Sequence, residues 1–516
     1  MKNDTMIPKV VLISFGPLDS AGINLLHSNL VKNYFKVYSI SLFYLNNKEK
    51  DRITEFVHKN KPLIVGISVD SQFLICTVDL TKKLKEISDS FILWGGPHPT
   101  IDPEECLKYA DGICIGDGEK LIVELAKRIN AKKSLRGIKN LWFRSKNRII
   151  KNETGDVVKD LNSLPFPYIF NDYKWKLVNN IFYKKLPFHF LKNYQFISPV
   201  MTTRHCPYSC SYCINSLMNE CRKPQKPYQA KYLIEELKRK INESDILYVT
   251  FEDDIFPMDD YFLNHFIKLY KEEIDLPFFI HLHPKNANFK KLKLLKEIGL
   301  DTCGSGIQTA SAKIKQIYNR QSKNKDFVKL YKILTKLKIL VGNDVIIAPF
   351  EDINDIMKTA KLIFKIRKRT LFHFHKLLFY KNYPLTKFCL ENNMITSDRI
   401  IGLDFTTGQL ISDTDNLEIK QMKFYLVLKM SSLGLQPKKA KRIVLLFKDN
   451  EKLLKFLVKL FLFYENVSYI PNQLIRLMQK LINGDIRMKK KIIKMLFLSI
   501  KNYNGKKVSY GAMVNN

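Results

Sequence analysis

Short, continuously apolar runs separated by amphipathic stretches set the strongest limit on how this 516-residue chain can fold. KVVLISF, FKVYSISLFY, PLIVGISV, FILWGG and DGICIG follow one another at the start. Between them lie segments such as CTVDLTKKLKEI and EKLIVELAKRI, whose apolar residues recur at three and four. Strands that are apolar on both faces must be covered on both faces, and helices with that spacing do the covering. The pattern therefore predicts an α/β fold beginning with a doubly wound parallel sheet of Rossmann-like type. In such sheets ligands bind where the strands end. Ser68, Val69 and Asp70 follow the third run, Gly95, Gly96, Pro97 and His98 the fourth, and Gly116, Asp117, Gly118 and Glu119 the fifth. Glycines let a large ligand approach the backbone, and helix starts offer unpaired amides. Taken singly, such loops are also ordinary turns and caps.

The rhythm returns downstream in DILYVTFEDD, PFFIHLHP, LDTCGSGIQTAS, ILVGNDVIIAPF and LFHFHKLLFY. This second alternation predicts a partial (β/α)6 barrel with its active site at the strand ends. The predicted order is a first domain over 8–135, a linker over 136–190 containing a small strand pair and the extended DLNSLPFPY, a barrel over 191–410, and a basic helical region over 411–516.

Three cysteines fall within eight positions, Cys206, Cys210 and Cys213, ahead of what would be the barrel's second strand. Thiolates spaced three and then two residues apart can each reach a different iron of a cubane cluster, leaving the fourth iron open. Plain core cysteines would not crowd beside Pro207, Ser209 and Ser211, and structural zinc wants a fourth ligand, the nearest spare being Cys221 eight residues on. Cys221 and Cys303 read as inert thiols. Nine cysteines in so long a chain make no disulfide framework, which places the protein in a reducing compartment.

Together, GGPHPTIDPEE, GDGE, GIKNLWFRSKNRIIKN, DLNSLPFPY and the CxxxCxxC spacing resemble the radical S-adenosylmethionine (SAM) proteins that carry a cobalamin-binding domain. The resemblance implies a 4Fe-4S cluster on Cys206, Cys210 and Cys213, SAM on the open iron, and cobalamin between the first domain's loops and the barrel. It implies SAM contacts from Tyr212, before the third cysteine, from Glu252, Asp253 and Asp254 at a strand end, and from Gln308. It further implies a cobalamin-dependent methyltransferase acting on an unactivated carbon through a 5′-deoxyadenosyl radical, with radical cyclisation or rearrangement as the alternative. A small-molecule or natural-product substrate and an electron donor such as flavodoxin or ferredoxin would be its partners. Two departures stand out. The Asp-x-His-x-x-Gly motif that supplies a cobalt ligand elsewhere is replaced by GPLDSAGINLL. Ile346-Ile-Ala-Pro349-Phe-Glu351 stands where relatives often have Gly-x-Pro-Gly-Glu. No catalytic acid or base is singled out. His281 and His283 share a strand face and could line the substrate space, although strand histidines are more often structural.

The formal charge of +35 invites a nucleic-acid reading, but a lysine-rich composition accounts for most of it. Residues 421–516 hold 20 Lys and Arg against 4 Asp and Glu, in helical patterns such as EKLLKFLVKLFLFYENV and DIRMKKKIIKMLFLSIKNY. A helical cap on the barrel is the leading expectation there, with peripheral membrane contact or RNA binding as alternatives. With neither a signal-peptide pattern nor an apolar run of membrane-spanning length, the sequence predicts a cytoplasmic protein.

Overall fold

The computed structural model describes residues 7–16, 20–42, 45–146, 148–155, 158–167, 173–184, 197–204, 206–221, 227–243, 246–286, 288–401, 418–447 and 449–462. Both expected sheets form. The first contains β1 (Lys9–Phe15), β2 (Lys36–Leu42), β3 (Ile64–Ser68), β4 (Phe91–Gly95), β5 (Gly112–Cys114), β6 (Leu141–Ser145), β7 (Arg148–Lys151), β8 (Lys174–Val178) and β9 (Ile181–Tyr183). Their order is β7-β6-β5-β4-β3-β1-β2-β8-β9, with β1 to β5 parallel. Helices Asn47–Asn60 and Leu74–Ile87 bury Ile53, Val57, Val78 and Leu84 on one face. Helices Ala21–Lys32 and Glu119–Asn130 bury Ile23, Leu30, Leu121 and Leu125 on the other. This two-sided cover is why the strands read as unbroken apolar runs.

The segment expected as a linker is part of this sheet. β6 and β7 extend it antiparallel beyond β5, β8 adds parallel to β2 at the opposite edge, and β9 closes that edge. Short strands joined by proline-bearing loops look like a connector in sequence, because their pairing partners lie far away along the chain.

The second sheet is the barrel wall: β10 (Ile197–Val200), β11 (Tyr248–Phe251), β12 (Phe278–His281), β13 (Leu300–Gly304), β14 (Leu340–Ile347) and β15 (Thr370–Lys376), all parallel and in chain order. Behind β11 sits an aromatic block. Phe251 meets Phe256, Phe266 and Phe278 edge to face at centroid distances of 5.2, 5.5 and 5.6 Å. Such pairs contribute about 0.5–1.5 kcal/mol each beyond burial. They hold the end of β11, where three acidic residues follow, in a fixed position.

Of the basic C-terminal region, helix Ile419–Ser432 packs on helix Ile353–Ile366, and Met422, Phe424, Tyr425, Val444, Leu454 and Val458 join the barrel core. The cap expectation holds for these residues. DIRMKKKIIKMLFLSIKNY lies outside the described residues, and with it the membrane-contact reading. No helix among the described residues is long and apolar enough to cross a membrane.

Leu177 on β8 is fully buried against the β2 side of the sheet. Leu177→Ala is expected to lower stability by about 2–5 kcal/mol, measured as a lowered urea midpoint. A residue in a free connector would change it by less than about 0.5 kcal/mol.

Candidate active site at the domain junction

The strand ends of the two sheets face each other. Arg204, two residues before Cys206, donates from Nη1 to Glu119 Oε1 at 2.7 Å, and both side chains are nearly buried. Lys381 pairs with Asp102 at 2.8 Å, and Asn382 Nδ2 donates to the Ile101 carbonyl at 3.0 Å. Helix Pro97–Ile101 packs against helix Asn215–Cys221, which leaves the cysteine loop directly after Cys213. Every one of these contacts joins the carboxyl-end loops of one sheet to those of the other.

On the first domain's side, Val69 N donates to Gly95 O at 2.8 Å and His98 N donates to Val69 O at 3.0 Å. Gly96 has a φ of 97°, and a Cβ there would meet Ser68 Oγ and Val69 N at 3.2 Å. That glycine lets the β3 and β4 loops touch. Thr100 Oγ1 donates to Gly96 O at 2.9 Å and accepts from Gly116 N at 3.1 Å, joining the β4 loop to the β5 loop. One sequence expectation changes here: Val69, expected as a ligand contact, is fully buried, and both its backbone groups are used to lock the loops together. Glu119 gives Oε1 to the ion pair with Arg204, and its Oε2 is enclosed with no hydrogen-bond partner among the described residues. The loops nonetheless fit a large polar ligand. His98 is buried, Nδ1 bonds Ser71 Oγ at 2.9 Å, and Nε2 is enclosed with no hydrogen-bond partner among the described residues. Burial pushes this imidazole's pKa down, so it stays neutral. Asp70 is held above its usual carboxylate range, also by burial, and Tyr380 and Tyr383 from the barrel side lie within range of its charge.

The cysteine loop follows β10 and is fixed from several directions. Asp253 is fully buried, and its Oδ1 accepts from Thr202 N, Thr202 Oγ1, Thr203 N and Thr203 Oγ1 at 2.5–2.8 Å. Burial raises this carboxyl to about 6 against the opposing pull of those hydrogen bonds. Asp253 thus positions the loop through Oδ1, while its Oδ2, the atom left for the expected SAM contact, is enclosed with no hydrogen-bond partner among the described residues. Glu252 and Asp254 are exposed at the open end. Ser211 N donates to Tyr318 O at 3.0 Å, Ser211 Oγ to Ile317 O at 2.8 Å, and Leu385 N to Ser211 O at 3.0 Å.

Cys206, Cys210 and Cys213 are outside any disulfide. Burial, with further contributions from Asp254 and the neighbouring cysteines, raises the Cys206 thiol to about 11, and Cys213 moves the same way. Thiols whose ionisation burial disfavours, as at Cys206 and Cys213, call for a strong cationic centre beside them, which iron supplies. Among the described residues no three His, Cys, Asp or Glu side chains converge on a point for a single metal ion. A cluster that gives each thiolate its own iron does not require such a point. Cys303 is fully buried with its pKa raised, as expected of an inert thiol, and the Cys221 side chain lies outside the described residues.

Tyr212 sits edge to face against Tyr318 at 4.9 Å, and its hydroxyl accepts from Arg320 Nη1 at 3.0 Å. The same Nη1 reaches Cys210 Sγ at 3.8 Å, and Nη2 donates to Gly306 O. Arg320 thus ties the cysteine loop to the loop after β13. Gln308 sits in that loop at a φ of 63°, its backbone clasped by Asp344 and Ile346 and its Oε1 buried with no partner among the described residues. Its amide occupies the space a side chain on Gly306 would need.

Inside the barrel, His375 Nε2 lies 3.0 Å from Asp344 Oδ1. Burial works to raise Asp344, but the His375 hydrogen bond and the charges of His375, His373 and His281 outweigh it and hold the carboxyl low. His281 is depressed by burial while Glu252, Asp344 and Asp254 act against that. His283 is pushed down to about 4 by burial, Arg320 and Lys285, and its ring stacks on Tyr208 at 4.1 Å. Sequence reasoning missed Arg204, Arg320, Asp344, His373 and His375. The His-x-His spacing of 373 and 375 on a strand was the one available signal.

Two expectations follow. Asp253→Ala leaves the Thr202 and Thr203 amides unsatisfied at about 1–3 kcal/mol each. Iron and sulfide retained after anaerobic reconstitution should fall well below the unaltered level, while Asp254→Ala retains them. Separately, Glu351 is buried, accepts from Ala348 N at 2.8 Å, and is raised by burial from 4.5 to about 8, with Asp355 adding to the shift and Lys420 opposing it. The folded state keeps a proton that the unfolded chain releases, so this group's stabilisation falls as pH rises from about 4.5 to about 8. Thermal melts across that window should show a steeper decline for the unaltered protein than for Glu351→Gln.

Residues 9–126 match the B12 binding domain family, and residues 200–363 match the radical SAM superfamily. An uncharacterized methyltransferase of Pyrococcus horikoshii is 24% identical over 394 residues, covering 72% of this chain and 81% of its own. Among solved structures, the radical SAM methyltransferase TsrM from Kitasatospora setae, with tryptophan and a SAM analogue bound, superposes with a TM-score of 0.62 at 15% identity. That match covers 74% of this chain and 76% of that one. The cobalamin-dependent SAM radical enzyme OxsB, with aqua-cobalamin and SAM bound, superposes with a TM-score of 0.65 at 12% identity over 97% of this chain and 85% of that one. With both domain families matched in the order the fold shows, the chain belongs to the radical SAM proteins that carry a cobalamin-binding domain.

Proposed function

We propose that this protein is a cobalamin-dependent radical SAM methyltransferase that methylates an unactivated carbon of a small molecule in the cytoplasm. One observation carries the reading: the three-thiol loop and the loops of the B12 binding domain are clamped face to face by the Arg204–Glu119 and Lys381–Asp102 ion pairs. When bound, the cluster and SAM supply a carbon-centred radical and cobalamin supplies the transferable methyl group. The names of the Pyrococcus horikoshii relative and of TsrM agree with methyl transfer.

The chain's own work is placement. Asp253 fixes the approach to Cys206, and Arg320 braces Cys210 and Tyr212. Glu252 and Asp254 present carboxylates at the open strand end, suited to an ammonium or to ribose hydroxyls. Gln308 offers an amide oxygen with no hydrogen-bond partner among the described residues. Asp344, His375 and His281 face the barrel interior and can hold a polar part of the substrate by hydrogen bonds, leaving the reacting carbon to be set by the gap between the domains.

Replacing Cys206, Cys210 or Cys213 singly by alanine is expected to abolish cluster absorbance and reduce SAM cleavage to the enzyme-free level, with cobalamin binding intact in an equilibrium titration. The unaltered enzyme should form 5′-deoxyadenosine and S-adenosylhomocysteine together once the substrate is supplied. Deoxyadenosine without S-adenosylhomocysteine in a productive reaction would replace methyl transfer by cyclisation or rearrangement.

A further inference from the structure

A cluster buried between two domains has to be recharged with one electron per SAM cleaved, and the fold leaves one side of the cysteine loop near the surface. The N-terminal domain reaches that loop through Arg204 and the helix after Cys213. On the Ser209–Ser211 side Ser209 is exposed, and the turn at 317–319 is hydrogen-bonded to the loop. Asn319 Nδ2 donates to Ser209 O at 2.8 Å, and the Ser211 bonds to residues 317 and 318 continue the seam. Outside this turn lies an open groove of about 410 Å³, lined by Gln316, Asn319, Arg320, Lys323 and Asn324 among others. Arg320 lines the groove and touches Cys210 Sγ, so the groove lies one side chain away from a cluster ligand.

Of the residues that line the groove, Lys315, Arg320 and Lys323 are cationic and none is acidic. The segment 312–338 that carries it contains nine Lys or Arg and a single carboxylate, Asp326, whereas the whole chain carries 85 against 50. Lys313, Lys325 and Lys329 are exposed on the two helices of that segment, and Asp352 lies within range of the Lys313 charge. Lys315 is buried beneath, donating to Ser322 O at 3.0 Å and Asn324 Oδ1 at 2.6 Å. Its amine is pushed down to about 8 by burial first and by Arg320 next. Compositional bias explains scattered lysines, but not this ratio in a segment bonded directly to the cysteine loop.

We infer that this basic groove is the docking surface for an acidic one-electron carrier protein. One electron leaves the carrier's reduced centre and enters the oxidised cluster, with no bond or proton transferred. The site rests on the radical SAM reading, and electrostatic steering gives it a strong dependence on ionic strength.

The test uses the full-length protein and an acidic flavodoxin as probe. Lys313→Glu, Lys323→Glu, Lys325→Glu and Lys329→Glu are combined in one variant. Lys48→Glu, Lys59→Glu, Lys82→Glu and Lys133→Glu, all exposed on the N-terminal domain, form an equally charged control. The groove variant is expected to bind flavodoxin about tenfold or more weakly than the control in a low-salt titration that raised salt abolishes. Flavodoxin-driven SAM cleavage should fall in parallel, with dithionite-driven cleavage and the melting temperature unchanged. Equal loss in both variants, or no loss in the groove variant, overturns the proposal. So does RNA binding that the groove variant alone loses while flavodoxin affinity holds. Should dithionite drive no SAM cleavage even in the unaltered protein, the functional reading fails, and the binding titration still decides the groove.

Discussion

The buried ion pair between Arg204 and Glu119 is the constraint on which the rest of the site depends. Removing two charges from water costs about as much as their attraction returns, so such a pair adds little net stability, whereas losing one partner costs about 3–5 kcal/mol. What it supplies is register. Glu119 opens the helix after β5, and Arg204 lies two residues before the first cluster cysteine. Together with the Lys381–Asp102 pair and the packing of helix Pro97–Ile101 on the helix after Cys213, this contact sets the distance from the first domain's loops to the thiols. Asp253 fixes the neighbouring Thr202 and Thr203 to the end of β11, which the aromatic block behind Phe251 holds in turn. One short stretch of backbone is anchored within the barrel and clamped across the domain junction.

The cysteine loop shows why its surroundings are built of neutral donors with few cations. Burial and neighbouring acidic groups disfavour thiolates at Cys206 and Cys213, and Arg320 is the protein cation in contact with the loop's sulfur. Strong protein cations around all three thiolates would compete with iron for the same negative charge. The loop instead receives shape from uncharged hydrogen bonds through Ser211, Tyr318 and Leu385, and leaves the charge compensation to the metal.

Much of this was legible in the sequence, and the failures have identifiable causes. Unbroken apolar runs revealed both sheets because two-sided burial leaves no ambiguity of face. The cysteine spacing revealed the cluster loop because its chemistry is local. β6 to β9 were read as a linker because edge strands are defined by partners distant along the chain, with β8 pairing on β2. The loop-anchoring role of Asp253 is signalled only by alternation: Val249 and Phe251 lie on the covered face of β11 and buried Asp253 continues it beyond the strand end, while exposed Glu252 and Asp254 continue the other. Arg204 and Arg320 carry no local signal, since each matters only through a residue the fold brings to it.

The interior of the barrel follows from the same alternation. On β14, Val341, Asn343, Val345 and Ile347 are buried beneath the helices, which turns Asp344 inward. On β15, Phe372 and Phe374 are buried, which turns His373 and His375 inward beside it. Burial alone would raise the Asp344 carboxyl, but the His375 hydrogen bond and the charges of the neighbouring histidines hold it low. The barrel thus maintains a charged, hydrogen-bonding wall opposite the thiol loop. A substrate held by such a wall presents its polar part to Asp344 and the imidazoles, and the carbon left facing the domain junction need not be activated, because the reactivity comes from the bound cofactors.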